Sequence, residues 1–189
     1  MTGPDDRADR LAALVAASPA HRDLLARVAA LGLRDGWIAA GFVRDVVWNH
    51  LHDLPPALPR GDVDVVWHDP SMVDPAIDAA LEDRLRAGRS DIDWSVKNQA
   101  RMHLRNRSAP YLSTADAMSR WPETATAVAV RLTTGGDVEV LAPLGLDDLF
   151  AMIVRPTPHF RSTGQVPVML DRVRDKGWLR RWPRLRLMA

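Results

Sequence analysis

Ile38-Ala-Ala-Gly-Phe-Val-Arg-Asp-Val-Val-Trp-Asn49, followed after a loop by Gly61-Asp-Val-Asp-Val-Val-Trp67, decides the fold. The first segment reads as a short apolar strand, Trp37 to Ala40, that runs into Gly41 and then into a helix from about Val43. Glycine at that junction permits a close backbone approach that a side chain would block. The second segment is a strand in which Asp62 and Asp64, two residues apart, point to the same face. Their neighbours Val63, Val65 and Val66 belong in a core, yet two adjacent carboxylates repel each other unless a cation sits between them. A strand carrying Asp-x-Asp opposite a glycine turn that opens a helix suits Mg²⁺ (or Mn²⁺) plus a triphosphate. The carboxylates take the metal, and the backbone N–H groups at the helix start take the phosphate.

The periodicity outside this stretch alternates helix and strand. Asp9–Ala17 and Pro19–Leu33 read as helices, the latter from Leu24, Leu25, Val28 and Leu31. Pro75–Arg86 reads as an amphipathic crossover helix leading to a strand at Trp94–Asn98. Ser113 or Thr114 is the expected N-cap of a short helix. Ala127–Leu132 and Val138–Leu141 form a hairpin through Thr133-Thr-Gly-Gly-Asp137. Asp147 and Asp148 open another helix, where their charge suits the dipole. Arg155–Phe160 reads as an extended exit. The expected fold is α/β (α+β): a small mixed β-sheet with helices packed mainly on one face. Residues 1–160 are expected to form one domain and residues 161–189 a basic C-terminal helical tail.

The stretch Ala40-Gly-Phe-Val-Arg-Asp45 followed by Asp62-Val-Asp64 resembles the nucleotidyltransferase superfamily, whose CCA-adding and poly(A) polymerase branch carries Gly-Gly-x-Val-Arg-Asp and then Asp-x-Asp. Ala40 stands where that branch has its first glycine. Further segments resemble one bacterial branch, the family called DUF925 or NTP_transf_6: Trp94-Ser-Val-Lys-Asn-Gln-Ala-Arg-Met-His103, Trp121-Pro-Glu-Thr-Ala-Thr-Ala-Val128, Ala142-Pro-Leu-Gly-Leu-Asp-Asp-Leu-Phe150, Lys176-Gly-Trp178 and Arg181-Trp-Pro183. The resemblance implies transfer of a nucleoside monophosphate from an NTP to a hydroxyl acceptor, with Asp62 and Asp64 as metal ligands. It also implies a third acid on a neighbouring strand. Glu139, set between Val138 and Val140, fits the local pattern better than Asp93, while Ser95 occupies the in-strand position. On the nucleotide side stand Gly41, Phe42, Arg44, Asn98 and Arg101. Arg44 either pairs a triphosphate oxygen or braces the helix against a nearby acid. Asn98 and Arg101 either read the nucleotide or serve the surface around them. The acceptor, whether small molecule, protein or RNA, is not specified. A catalytically degenerate domain that binds nucleotide or RNA without turnover is the alternative.

Composition narrows the classes. The chain has 189 residues, 47% of them hydrophobic, enough for a real core. Twenty-five basic against 24 acidic residues give +1, so overall charge does not announce a nucleic-acid binder. With no cysteine, disulfides and thiolate metal sites are excluded. The first seven residues lack a signal-peptide layout and no apolar run approaches a membrane span, so a cytoplasmic protein is expected. His50 and His52 at a helix end read as surface rather than a metal pair. After Phe160 eight basic residues face only Asp171 and Asp175, interleaved with Trp178 and Trp182. That tail either grips a phosphate backbone or folds back on the core with its arginines in solvent.

Overall fold

The structure is a computed structural model and describes residues 4–106 and 108–189. The sequence reading of the first residues therefore lies, for 1–3, outside the described residues. In chain order the elements are α1 (Pro4–Ala16), α2 (Pro19–Ala29), β1 (Trp37–Ala39), α3 (Gly41–Leu51), β2 (Val63–Trp67), α4 (Pro75–Gly88), β3 (Trp94–Asn98), α5 (Gln99–Asn106), α6 (Thr114–Met118), β4 (Ala129–Leu132), β5 (Val138–Leu141), α7 (Asp147–Phe150), β6 (Ile153–Val154), α8 (Pro158–Ser162), α9 (Val166–Asp175), α10 (Trp178–Arg181) and β7 (Arg186–Leu187). Local chemistry sets several of these boundaries. Ser18 accepts from the His21 N–H at the start of α2, Asp74 caps α4 through the Ala76 N–H, and a proline follows each cap. Ser113 caps α6. The expected extended exit after Arg155 is instead helix α8, because Thr157 accepts from the Phe160 N–H and Pro158 occupies the first turn.

Five strands form a mixed sheet in the order β3-β2-β1-β4-β5. β1 runs antiparallel to both β2 and β4, β2 is parallel to β3, and the β4–β5 hairpin is antiparallel. Alternation along the strands separates two faces. Ile38, Val63, Val65, Trp67, Val96 and Val130 join the main core with Leu11, Leu24, Phe42, Val47 and Trp48 from the helices. Trp37, Ala39, Val66 and Ala129 form a smaller second layer under Met118 of α6. The helices thus lie mainly on one face, as the pattern predicts. Edge strand β3 is protected by α4: Glu82 accepts from the Val96 N–H at 2.8 Å and Asp78 from the Asn98 N–H at 3.1 Å.

The C-terminal segment closes onto this body. Trp178 and Trp182 are buried against Trp48, with ring centroids 5.7 and 5.1 Å away. The Trp182 Nε1–H donates to Asn49 Oδ1 at 3.0 Å. β7 then pairs in parallel with β6.

Ala40, between β1 and α3, has φ 53° and ψ −117°, a region that favours glycine. Its N–H donates to Val128 O at 3.0 Å and its carbonyl accepts from the Arg44 N–H at 2.9 Å, so the packing dictates the conformation. Relief of that strain should exceed the extra unfolded-state entropy of glycine. Ala40→Gly is therefore expected to stabilise the fold by about 1 kcal/mol. A denaturant midpoint at or below the wild-type value would contradict this.

Candidate active site

The sheet topology brings the two halves of the opening stretch together. Because β1 and β2 are antiparallel with Ala39 opposite Asp64, the end of β1 and the start of β2 lie at the same edge of the sheet. α3 leaves from that edge with no side-chain cap on its first turn, and its first amides have no helical carbonyl to bond. Between them is a cleft of about 200 Å³, lined by Gly41, Arg44, Asp45, Arg60, Asp62 and Asp64 among others. It is not the largest hollow. A 440 Å³ groove lies between α2 and the β4–β5 hairpin, and a 520 Å³ hollow is lined by Thr124, Arg155, Pro156, Pro158, Arg161 and Ser162; neither includes the acid pair.

Asp64 lies within β2, and Asp62 precedes the strand and is exposed. Burial first, and then the neighbouring Asp62 carboxylate, push the Asp64 carboxyl up to about 6, against opposing pulls from Arg172, Lys176 and Arg44. A carboxylate pair held partly out of water and under mutual repulsion fits a divalent cation, which would relieve both costs. Among the described residues no group of three or more His, Cys, Asp or Glu side chains could hold a metal ion, so any site here rests on this pair.

The two candidates for the third acid occupy different places. Glu139 is on β5, three strands from β2 and roughly 14 Å across the sheet, and it accepts from Arg131 Nε at 2.7 Å. The structure does not bring it to the pair, because an alternating strand pattern reports a face but not the strand order. Asp93 immediately precedes β3. The Val63 N–H donates to its carbonyl at 2.7 Å, and the register Val63 to Trp94 sets Asp93 beside Asp62. Its side chain is exposed. Ser95 is opposite Asp64.

Arg44 braces the helix start against a nearby acid, the second of its two expected roles. Its Nη2 donates to Asp45 Oδ1 at 2.6 Å, and its guanidinium carbon lies 4.4 Å from the Trp178 ring centroid, with Trp48 and Trp182 close by. It also lines the cleft, within 3.4 Å of where a Cβ on Gly41 would stand. Phe42 is fully buried in the main core beside His21, so only its backbone can serve a ligand. Asn98 and Arg101 stand apart from the cleft. Asn98 pairs with Trp67, three residues beyond Asp64 and roughly 10 Å further along the strand. Its amide donates to the carbonyls of Asp69 and Met72, while Arg101 is salt-bridged to buried Asp78. In these contacts both residues brace the sheet and its loops, away from the cleft. His52 is likewise occupied, with Nδ1 2.8 Å from Trp48 O and Nε2 accepting from the Arg184 N–H.

The far wall of the cleft comes from the C-terminal segment. Arg172, Lys176, Trp178 and Arg181 all line it. The Arg181 Nη1 donates to Asp45 Oδ2 at 2.8 Å. Behind Arg172 lies Glu123, with no exposed surface, its Oε1 3.2 Å from Arg172 Nε. Burial raises its carboxyl above the usual range. The sequence reading passed over Glu123 and the tail's share of the cleft. Their signals were one acid in the otherwise uncharged segment 122–128, and two cations four apart, Arg172 within α9 and Lys176 just after its end.

Asp64 and His21 give the protein opposing pH responses. The carboxyl of Asp64 is raised, so its ionisation costs stability: none below about pH 4, and up to about 3 kcal/mol as the pH rises through 6. His21, buried with Nδ1 2.7 Å from Ser18 Oγ, is lowered to about 4, so protonation costs stability as the pH falls below 6.5. The Asp64→Asn variant should thus be more stable than wild type at pH 7.5, with the advantage gone by pH 4. Denaturant midpoints that differ equally at both pH values would contradict the assignment.

Comparisons with known proteins bear on the family and the fold. A profile of the nucleotidyltransferase family matches residues 26–187. Among curated proteins no significant match was found. A protein whose solution structure is described as revealing a CCA-adding enzyme head domain is 36% identical, with a TM-score of 0.85 over 96% of this chain and 95% of its own. The Thermotoga maritima CCA-adding enzyme complexed with tRNA shares the fold at 14% identity and TM-score 0.58, over 96% of this chain and 42% of that one. A CCA-adding enzyme complexed with CTP gives 14% and 0.51, over 94% and 49%. The chain thus spans less than half the length of these two enzymes. Among the described residues no helix is long and apolar enough to cross a membrane. From residue 26 to residue 187, the chain belongs to the nucleotidyltransferase family.

Proposed function

We propose that the chain transfers a nucleoside monophosphate from an NTP to a hydroxyl acceptor and releases pyrophosphate. The observation that supports this most strongly is the Asp62–Asp64 pair facing the uncapped start of α3 across one cleft. Asp62 and Asp64 would hold Mg²⁺ or Mn²⁺, with Asp93 beside Asp62 as the residue placed to support them. When bound, the metal supplies charge neutralisation at the reacting phosphate and lowers the pKa of a hydroxyl brought to it. The first amides of α3, at Gly41 and Phe42, donate to phosphate oxygens. Arg44, fixed by Asp45 and the tryptophans, adds a guanidinium without having to be ordered during the reaction. The acceptor oxygen forms a bond to the α-phosphorus as the α–β bridging bond breaks, and pyrophosphate leaves with that electron pair. The proton of the acceptor hydroxyl passes to the carboxylate of Asp93, the exposed acid beside the pair, and from there to solvent.

A second reading, binding of nucleotide or RNA without turnover, is favoured by the lack of a three-acid cluster among the described residues. Calorimetric titration of the four NTPs with and without Mg²⁺, followed by incubation with α-labelled NTP and RNA, small-molecule or protein acceptors, separates the two. The CCA-adding relatives solved with CTP and with tRNA make CTP and an RNA 3′ end the first probes. Mg²⁺-dependent binding with transfer of label supports the enzyme. Binding with no transfer to any acceptor class supports the second reading.

A further inference from the structure

The basic side chains of the cleft differ in how far the protein already uses them. Arg44 and Arg181 share Asp45, one on each carboxylate oxygen. Lys176 is exposed on the cleft wall, and among the described residues it enters no ion pair, although its charge reaches Asp64. Arg172 is held from one side only. Its Nε is 3.2 Å from Glu123 Oε1 without the alignment of a hydrogen bond, and its guanidinium lies 5.8 Å from the Trp178 ring centroid. Among the described residues its Nη groups enter no hydrogen bond, and the part-exposed side chain lines the cleft.

Glu123 is hard to explain as a source of stability. A fully buried carboxylate costs several kcal/mol to desolvate, and a well-packed neutral side chain would serve the fold as well. It is nonetheless fixed: the Thr126 Oγ1–H donates to Oε2 at 2.7 Å, and its backbone bridges to Pro156. An anchored carboxylate beneath an arginine orients that arginine, just as Asp45 orients Arg44.

We infer that Arg172 and Lys176 bind the β- and γ-phosphates of the nucleotide and the pyrophosphate that leaves, and that Glu123 is the positioning residue that turns Arg172 toward them. The inference rests on the nucleotidyl-transfer reading for the identity of the ligand, and on the cleft geometry for the anion. A phosphate grip opposite the start of α3 encloses the triphosphate between two elements distant in sequence. The C-terminal segment is then part of the binding site.

Calorimetry with inorganic pyrophosphate, NTP and the matching NMP tests it on the intact protein. Arg172→Gln and Lys176→Gln should each weaken pyrophosphate and NTP about tenfold while NMP binding stays unchanged. Glu123→Gln should weaken pyrophosphate by a smaller factor, and the Glu123→Gln/Arg172→Gln double variant should be no worse than Arg172→Gln alone, because Glu123 acts through Arg172. If Arg172→Gln is too unstable to use, Lys176→Gln, which breaks no ion pair, and the double variant, which leaves no unpaired buried charge, carry the test. NTP and pyrophosphate affinities unchanged in these variants would overturn the inference and leave the transferase reading standing. Equal weakening of NTP and NMP would also overturn it. Pyrophosphate binding lost in the variants, in a wild type that transfers nothing to any acceptor, would uphold the anion site and remove the transferase reading. A wild type that binds neither anion overturns both.

Discussion

Replacing Asp62 and Asp64 together with asparagine should abolish nucleotidyl transfer, by about a thousandfold or more, while the protein remains folded and gains stability at neutral pH. The loss follows because, among the described residues, the two carboxylates are the only acids lining the cleft besides Asp45, and Asp45 is taken by Arg44 and Arg181. Removing the charge that holds the metal removes several kcal/mol of transition-state stabilisation, and each 1.4 kcal/mol is tenfold in rate. The gain in stability follows from the same feature, since the repulsion and burial that push Asp64 up to about 6 vanish with its charge. Turnover within tenfold of wild type would remove these residues from the chemistry. A variant that is inactive because it is unfolded would contradict the strain argument. Asp93→Asn should cost less than the pair, and Glu139→Gln should leave turnover unchanged because Glu139 is three strands away.

The largest effect on stability is expected from Trp182→Ala. Trp182 is fully buried, packs edge-on to Trp48 and donates to Asn49, itself buried. Truncation to alanine removes an aromatic side chain from the core and leaves the Asn49 oxygen without its donor, a cost of about 4 kcal/mol. The change should reach the cleft as well. Arg44 would lose one of its three aromatic neighbours, and Arg181, adjacent in sequence, would lose its fixed approach to Asp45. Denaturant unfolding should therefore show a large fall in midpoint, and nucleotide affinity at low temperature should fall even where the variant is folded. A loss under 1 kcal/mol would mean that the C-terminal segment is held elsewhere.

The sequence spoke clearly wherever a local pattern carries the information. The Asp-x-Asp strand, the turn at Gly41 and the Thr133–Asp137 hairpin are all short-range features. The strands Trp94–Asn98 and Val138–Leu141 lie where alternation places them. Local pattern could not give strand order, and Glu139 shows the consequence: its strand has the expected alternation but lies three positions from β2. Nor could it tell which polar residues after β3 would be used by the fold. For Asn98 and Arg101 the pattern leaves both roles open, and Asp78, twenty residues before Asn98, binds both the Asn98 N–H and the Arg101 guanidinium. The C-terminal arginines were open for the same reason, since grip on an anion and packing on the core predict the same amphipathic composition. In the structure the tryptophans do the packing and Arg172, Lys176 and Arg181 face the cleft, so the two readings describe two sides of one segment. Ala40, in place of a glycine, revealed its strain only in its backbone angles.

Locating the cation bears on the site more closely than any activity assay. Adding Mn²⁺ in small steps to isotope-labelled protein, in the presence of an NTP analogue that cannot be cleaved between the α- and β-phosphates, broadens the amide signals nearest the bound ion. Gly41, Phe42 and Gly61 to Asp64 should broaden first, Arg172 and Lys176 should follow, and β5 around Glu139 should stay sharp. Broadening centred on any other part of the molecule, or a pattern unchanged by Asp62→Asn/Asp64→Asn, would contradict this.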